Sequence, residues 1–207
     1  MHSLPAKYKE ILTMLITPMT ELDAINEMLG MIGEGPVNSL DDSGILEVGI
    51  AKRTFNEVNR AVQAKGLWCN SEDNVKLVPD EDGTIPLPIN TMSFIPKYLY
   101  PRVSLRGNRL YNLETHSYTF DAPVEGRLVL LLPFEELSQA TRQYITMRAA
   151  RLFQKEVLGS DTLDKSSVEE EQKALVAFRA EEARLTKASV LGRSYARVYR
   201  RSPLEYF

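Results

Sequence analysis

The sequence predicts an α+β chain: a four-helix bundle of two N-terminal and two C-terminal helices, an antiparallel β subdomain inserted between its halves, and an extended C-terminal arm. Three observations predict it. Apolar residues recur at spacings of three and four in two stretches on either side of the middle. Between Leu67 and Pro133 the texture changes: seven of the eleven prolines lie there, and Val, Leu, Tyr and Thr come in short runs. After Gly192 no clear period remains, and arginines interleave with tyrosines. The implied boundaries are residues 1–19 for an N-terminal extension, 20–66 and 134–191 for the bundle, 67–133 for the β part, and 192–207 for the arm.

Each element has its own signal. Residues 4–17 read as a short helix with Pro5 in its first turn, closed by Pro18. Thr20 is an N-cap, with the acid Asp23 three places on. Leu22, Ile25, Leu29 and Ile32 then share one face of a helix ending near Gly33. The turn Gly33-Glu34-Gly35-Pro36 opens a polar loop reaching Ser43. The next helix spans about Gly44 to Lys65 with the stripe Val48, Ala51, Phe55, Val58 and Val62, and Gly66 caps it. Lys52, Arg53, Glu57 and Arg60 fall outside that stripe.

The β part reads as a meander. Gly107-Asn108 is a two-residue hairpin turn between Val103–Leu105 and Leu110-Tyr111. A turn at Glu114–His116 leads to Tyr118–Phe120, and Glu125-Gly126 precedes a last strand, Arg127–Leu132. The Pro-rich stretch Ile85–Pro101 reads as an excursion serving contacts. Helix returns near Glu135. Leu137, Ala140, Tyr144, Met147 and Ala150 form one stripe, widened by Ile145, Ala149 and Leu152. An arc that wide is packed on more than one side, and Gly159 ends it. A last helix is expected from Ser166 or Ser167 to Leu191, its acids Glu169, Glu170 and Glu171 near the positive end of the helix dipole.

A chain of 207 residues can bury a real core without a disulfide or structural metal. The single cysteine, Cys69, excludes an intrachain disulfide and a Cys-based zinc site, and it suits a reducing compartment. The formal charge of −3 does not advertise nucleic acid or an acidic substrate as main partner. No run is long enough to span a membrane, and the N-terminal stretch Ile11–Ile16 has no small-residue cleavage site, so a signal peptide is not expected.

Catalytic, cofactor and metal residues are not expected. His116 sits in a turn with no triad partners, and Cys69 reads as a small thiol beside Trp68. Gly30, Gly33 and Gly35 have the wrong order for a phosphate loop and follow a helix. Asp80-Glu81-Asp82-Gly83 lacks calcium-loop spacing and reads as a polar turn. The pairs Asp41-Asp42 and Glu135-Glu136 read as a solvated loop and a helix start. The arm, with Arg193, Tyr195, Arg197, Tyr199, Arg200, Arg201, Tyr206 and Phe207, admits three readings: a phosphate-backbone grip, an arm that orders on a protein partner, or a disordered tail.

Several stretches resemble the tail tubular protein A family. They are Glu21–Asn26 leading to Ile32-Gly33-Glu34 and Pro36-Val37; Asn59-Arg60, Gln63, Lys65-Gly66 and Trp68; Leu77-Val78-Pro79-Asp80; Arg142–Phe153 up to Gly159; and Glu169-Glu170-Glu171. The resemblance covers roughly residues 20 to 191, and Leu67 is an extra residue between the glycine and the tryptophan. It implies a head-to-tail adaptor of a short-tailed phage virion, assembled in the bacterial host cytoplasm. Such an adaptor is a homo-oligomeric ring, commonly a dodecamer. It sits between the portal and a tail nozzle like tail tubular protein B, with tail fibres around the junction. DNA passes through its lumen without specific binding, and no catalysis, cofactor or membrane is involved. On that reading the residues of the arm are portal-contact candidates. Pro86, Pro88, Phe94, Pro96, Tyr98 and Tyr100 are candidates for the nozzle or fibre side. The rival reading is a nucleic-acid-binding protein that uses the basic arm.

Overall fold

Among the described residues of the computed structural model the order of elements is helix–helix, five strands, helix–helix. The structure describes residues 18–40, 45–97, 101–159 and 161–199, with backbone alone for 161–166 and 187–199. The fold is α+β. The expected short helix at 4–17 lies outside the described residues. The chain divides into two compact units. The first holds the described residues up to Asn56 together with Pro133–Ala174; the second holds Glu57–Leu132 and the described residues from Leu175 on.

In the first unit, helix α1 (Glu21–Gly30) starts at a capping box: the Thr20 side chain accepts from the Asp23 N–H, and the Asp23 carboxylate accepts from the Thr20 N–H at 2.9 Å. Its buried face is Ala24, Ile25, Met28 and Leu29. Leu22 and Ile32, which the periodicity also placed there, are only half-buried. Helix α1 packs on α3 (Gln139–Leu158), and two side chains of α3 hold its ends. The Arg142 guanidinium donates to Met19 O at 2.9 Å, and the Gln154 amide donates to Met31 O at 3.1 Å. Ser167 donates in turn to Gln154 Oε1 at 2.6 Å, which ties in α4 (Asp161–Tyr199). Glu171 of α4 accepts from Arg148 at 3.0 Å and from Arg151.

Helix α2 (Leu46–Gln63) carries the predicted stripe, and Val48, Ala51, Phe55, Val58 and Val62 are all buried. Within the first unit Phe55 meets Phe134 edge-to-face at 5.0 Å. Arg53 pairs with Glu156. Helix does not return at Glu135 directly. A single 3₁₀ turn, Phe134–Glu136, precedes α3, whose true N-cap is Ser138, accepting from Thr141 N–H. Gly159 closes α3 in the left-handed conformation at φ 60°. Of the wide arc expected on α3, Tyr144, Ile145, Met147, Ala149 and Ala150 are buried while Ala140 and Leu152 are half-buried, and polar Thr141, Arg142, Thr146 and Gln154 lie buried on the same helix.

The second unit corrects the meander. Strands β1 (Ser71–Leu77), β5 (Val124–Leu130) and β2 (Thr91–Pro96) form one antiparallel sheet in that order, so the last strand lies in the middle. Strands β3 (Val103–Arg106) and β4 (Arg109–Asn112) make a separate hairpin, in the predicted register with Arg106 opposite Arg109. β1 and β2 have no clean alternation, because their outward residues are mixed and the register slips between Glu72 and Val75. Gly126 is not a turn residue. It sits inside β5, opposite Val75 and Pro96, where a Cβ would meet Phe94 Cζ at 2.5 Å. The core is Ile85, Leu87, Phe94, Leu110, Phe120, Val124 and Leu128.

The last helix starts at Asp161 and continues through Gly192 to Tyr199, 39 residues in all. Residues 192–199 are therefore helical backbone, not an extended arm. One glycine inside a helix costs only about 1 kcal/mol, and the next proline is Pro203. No helix among the described residues is long and apolar enough to cross a membrane.

Candidate assembly surface

Two of the stretches that carried the resemblance are joints. At the end of α1, Gly33 takes φ +85°, which glycine adopts without steric cost. Gly33 N–H donates to Gly30 O at 3.1 Å and Glu34 N–H to Leu29 O at 3.0 Å, satisfying carbonyls the helix end would leave free. Asn26 then clamps the returning loop from both sides: its amide donates to Val37 O at 3.0 Å and its carbonyl accepts from Val37 N–H at 2.8 Å. The turn Gly33–Pro36 is thus a fixed, exposed corner.

The second joint is a buried amide network at the end of α2. Gln63 is wholly buried. Its Nε2 donates to Asn59 Oδ1 and to Leu132 O, each at 3.0 Å, and its Oε1 accepts from Leu132 N–H at 2.8 Å. Asn70, which the sequence reading missed, completes it. Its Nδ2 donates to Gln63 O at 3.0 Å and Leu130 O at 2.7 Å, while its Oδ1 accepts from Leu67 N–H at 2.7 Å. Every polar atom of the two amides is used, so the network fixes one geometry. The extra residue Leu67 is buried beside it, and Trp68 is half exposed, its backbone N–H donating to the Glu182 carboxylate at 2.9 Å.

The acidic loop is a closed turn. Thr84 N–H and hydroxyl donate to the two Asp80 carboxylate oxygens at 2.7 and 2.8 Å, and Asp82 N–H donates at 3.1 Å. These hydrogen bonds from Thr84, foremost its hydroxyl, hold the Asp80 carboxyl below its ordinary pKa. His116 occupies the predicted turn at φ 54°. Cys69 is half-buried.

Of the nozzle-side candidates, Pro86 and Pro88 are exposed, and Pro96 closes β2 half-buried. Phe94 is 9% exposed and belongs to the core, so its ring is not free for a partner: the excursion read from the prolines contains strand β2. Tyr98 and Tyr100 lie outside the described residues, as do Arg200, Arg201, Tyr206 and Phe207. The backbone places Arg193 and Arg197 one turn apart on α4, and Tyr195 and Tyr199 likewise. No cluster of metal-ligating residues is found among the described residues.

Those joints coincide with the span matched by a family model described as tail tubular protein, which covers residues 22–188. The chain belongs to the tail tubular protein family. It is also similar to Tail tubular protein A of Klebsiella phage KP34, 27% identical over 184 residues, which are 89% of this chain and 98% of that protein. It is therefore a structural protein of a phage tail, and its place is the virion.

Proposed function

We propose that the chain is the subunit of a homo-oligomeric ring, a dodecamer, that joins the portal of a phage head to the tail nozzle and lets DNA pass through its lumen. Tail fibres attach around that junction, and assembly takes place in the host cytoplasm. The observation that carries this reading is family membership across residues 22–188. The physics is compatible with it. A ring subunit offers each neighbour a different face, and the joints around Asn26 and Gln63 keep such faces in fixed geometry. A lumen that passes DNA should not grip it, and the formal charge of −3 suits that role. The segment 192–207 is assigned to the portal, and the exposed prolines Pro86 and Pro88 to the nozzle or fibre side.

The test is electron microscopy of the protein mixed with purified portal. Capped rings are expected; portal rings that stay bare refute the connector role. Removing residues 192–207 should leave a subunit that melts like the full chain but binds portal at least tenfold more weakly. Unchanged binding would refute the portal assignment. Salt-dependent binding to DNA oligonucleotides, in place of portal binding, would favour a nucleic-acid-binding role.

A further inference from the structure

The tip of the β3–β4 hairpin carries a charge arrangement the subunit does not use. Arg106 and Arg109 face each other directly across the two strands, and both are exposed. Like charges at opposed positions destabilise a hairpin. Neither has a carboxylate within ion-pair distance among the described residues, although Arg109 acts on Asp80 at longer range. Arg106 is nevertheless held in place: its guanidinium lies 3.5 Å from the centre of the Tyr111 ring, and Tyr118 meets Tyr111 edge-on at 5.0 Å.

The hairpin is also strapped down. Leu87 N–H donates to Asn108 O at 2.8 Å, Leu110 N–H donates to Ile85 O at 3.1 Å, and Pro86 lies opposite Arg109. Ile85 and Leu87 anchor the strap in the core, and two residues on Ile89 is 96% exposed. Two exposed arginines, one of them held on a tyrosine ring, on a strapped hairpin with a protruding aliphatic side chain nearby in the chain are the composition of an interface anchor, with part of the ordering cost already met inside the subunit.

The complementary surface is on the same chain. In the first unit Asp23, Glu169 and Glu170 are exposed, and the half-buried Glu27 lies close enough to Glu170 to feel its charge. We propose that the hairpin tip, Arg106 and Arg109 with Ile89 beside them, docks on the acidic surface around Glu27 and Glu170 of a second copy of this chain. This rests on the ring reading and assigns both patches of its repeating contact. A head-to-tail contact needs such unlike, complementary patches on every subunit.

A charge-swap experiment tests it. Arg106→Glu with Arg109→Glu, and Glu169→Lys with Glu170→Lys, are made in the full chain, and assembly is read by sedimentation at low and high salt. Circular dichroism confirms that each variant is folded; if the reversed hairpin does not fold, Arg106→Gln with Arg109→Gln replaces it, and its weaker assembly alone, without the mixture, is then the readout. Wild type should form rings that weaken with salt. Each variant alone should need at least tenfold more protein to assemble, and an equimolar mixture should recover, because each then meets an opposite partner. Variants that assemble like wild type overturn the inference, as does a mixture that does not recover. Loss of duplex DNA binding with assembly unchanged would make the patch a nucleic-acid surface and overturn it equally. Wild type that stays monomeric both alone and with portal would sink the ring reading itself.

Discussion

Replacing Gly126 by alanine tests the most specific packing constraint in the second unit. An added Cβ would lie closer than 3.0 Å to the Ile95 carbonyl oxygen, 2.5 Å from Phe94 Cζ and 2.9 Å from Phe94 Cε2. Neither neighbour yields easily. The carbonyl belongs to strand β2, hydrogen-bonded to β5, and the ring is part of the core. Relief requires moving β2 away from β5 by a sizeable fraction of an ångström. Overpacking of this kind costs about 1–3 kcal/mol. Alanine returns about 0.4–1 kcal/mol by restricting the unfolded chain. The net expectation is a loss of about 1 kcal/mol, or roughly 2–4 °C in melting temperature for a protein of this size. Gly35→Ala is the control, since nothing lies within 4 Å of its added Cβ and its φ is not positive. The assay is urea and thermal unfolding of both variants beside wild type. A Gly126→Ala protein as stable as wild type would refute the close approach of β2 to β5.

Three further outcomes are expected. Gln63→Glu keeps the shape but, once ionised, cannot donate to Asn59 and Leu132; it should cost about 2–4 kcal/mol at neutral pH and much less near pH 4, read by urea midpoints at both. Phe55→Ala should cost about 3–5 kcal/mol, because the ring is fully buried against Phe134, and a denaturation midpoint that hardly moves would show that the α2 stripe is not core. Glu27 is raised above its ordinary pKa, first by burial and then by Glu170, so its ionised form weakens the fold. That penalty is full above the raised folded pKa and vanishes below the unfolded value. Glu27→Gln should therefore be the more stable protein at pH 7 and gain nothing at pH 4; a gain that is the same at both values would rule the cause out.

Local signals survived the passage from sequence to structure where a short-range rule dictated them. The Thr20 capping box, the α2 stripe, the Gly107-Asn108 hairpin and the Gly159 stop each depend on residues within a few positions of one another. The order of motifs was also enough to point to the family. What the residues did not reveal were pairings across long sequence separations. The central place of β5 and the role of Gly126 depend on strands some thirty to fifty residues away in the chain. Gln63 stood out only through the resemblance and Asn70 not at all, and only the folded chain brings their amides to Leu132 and Leu130. Phe94 followed the same rule: prolines nearby suggested a loop, and the partner strand turned it inward. Periodicity fixes which face of an element is apolar, because that is geometry along one backbone. Which face meets which is decided by packing between elements, where shape and hydrogen-bond satisfaction select one arrangement from many that the same pattern allows.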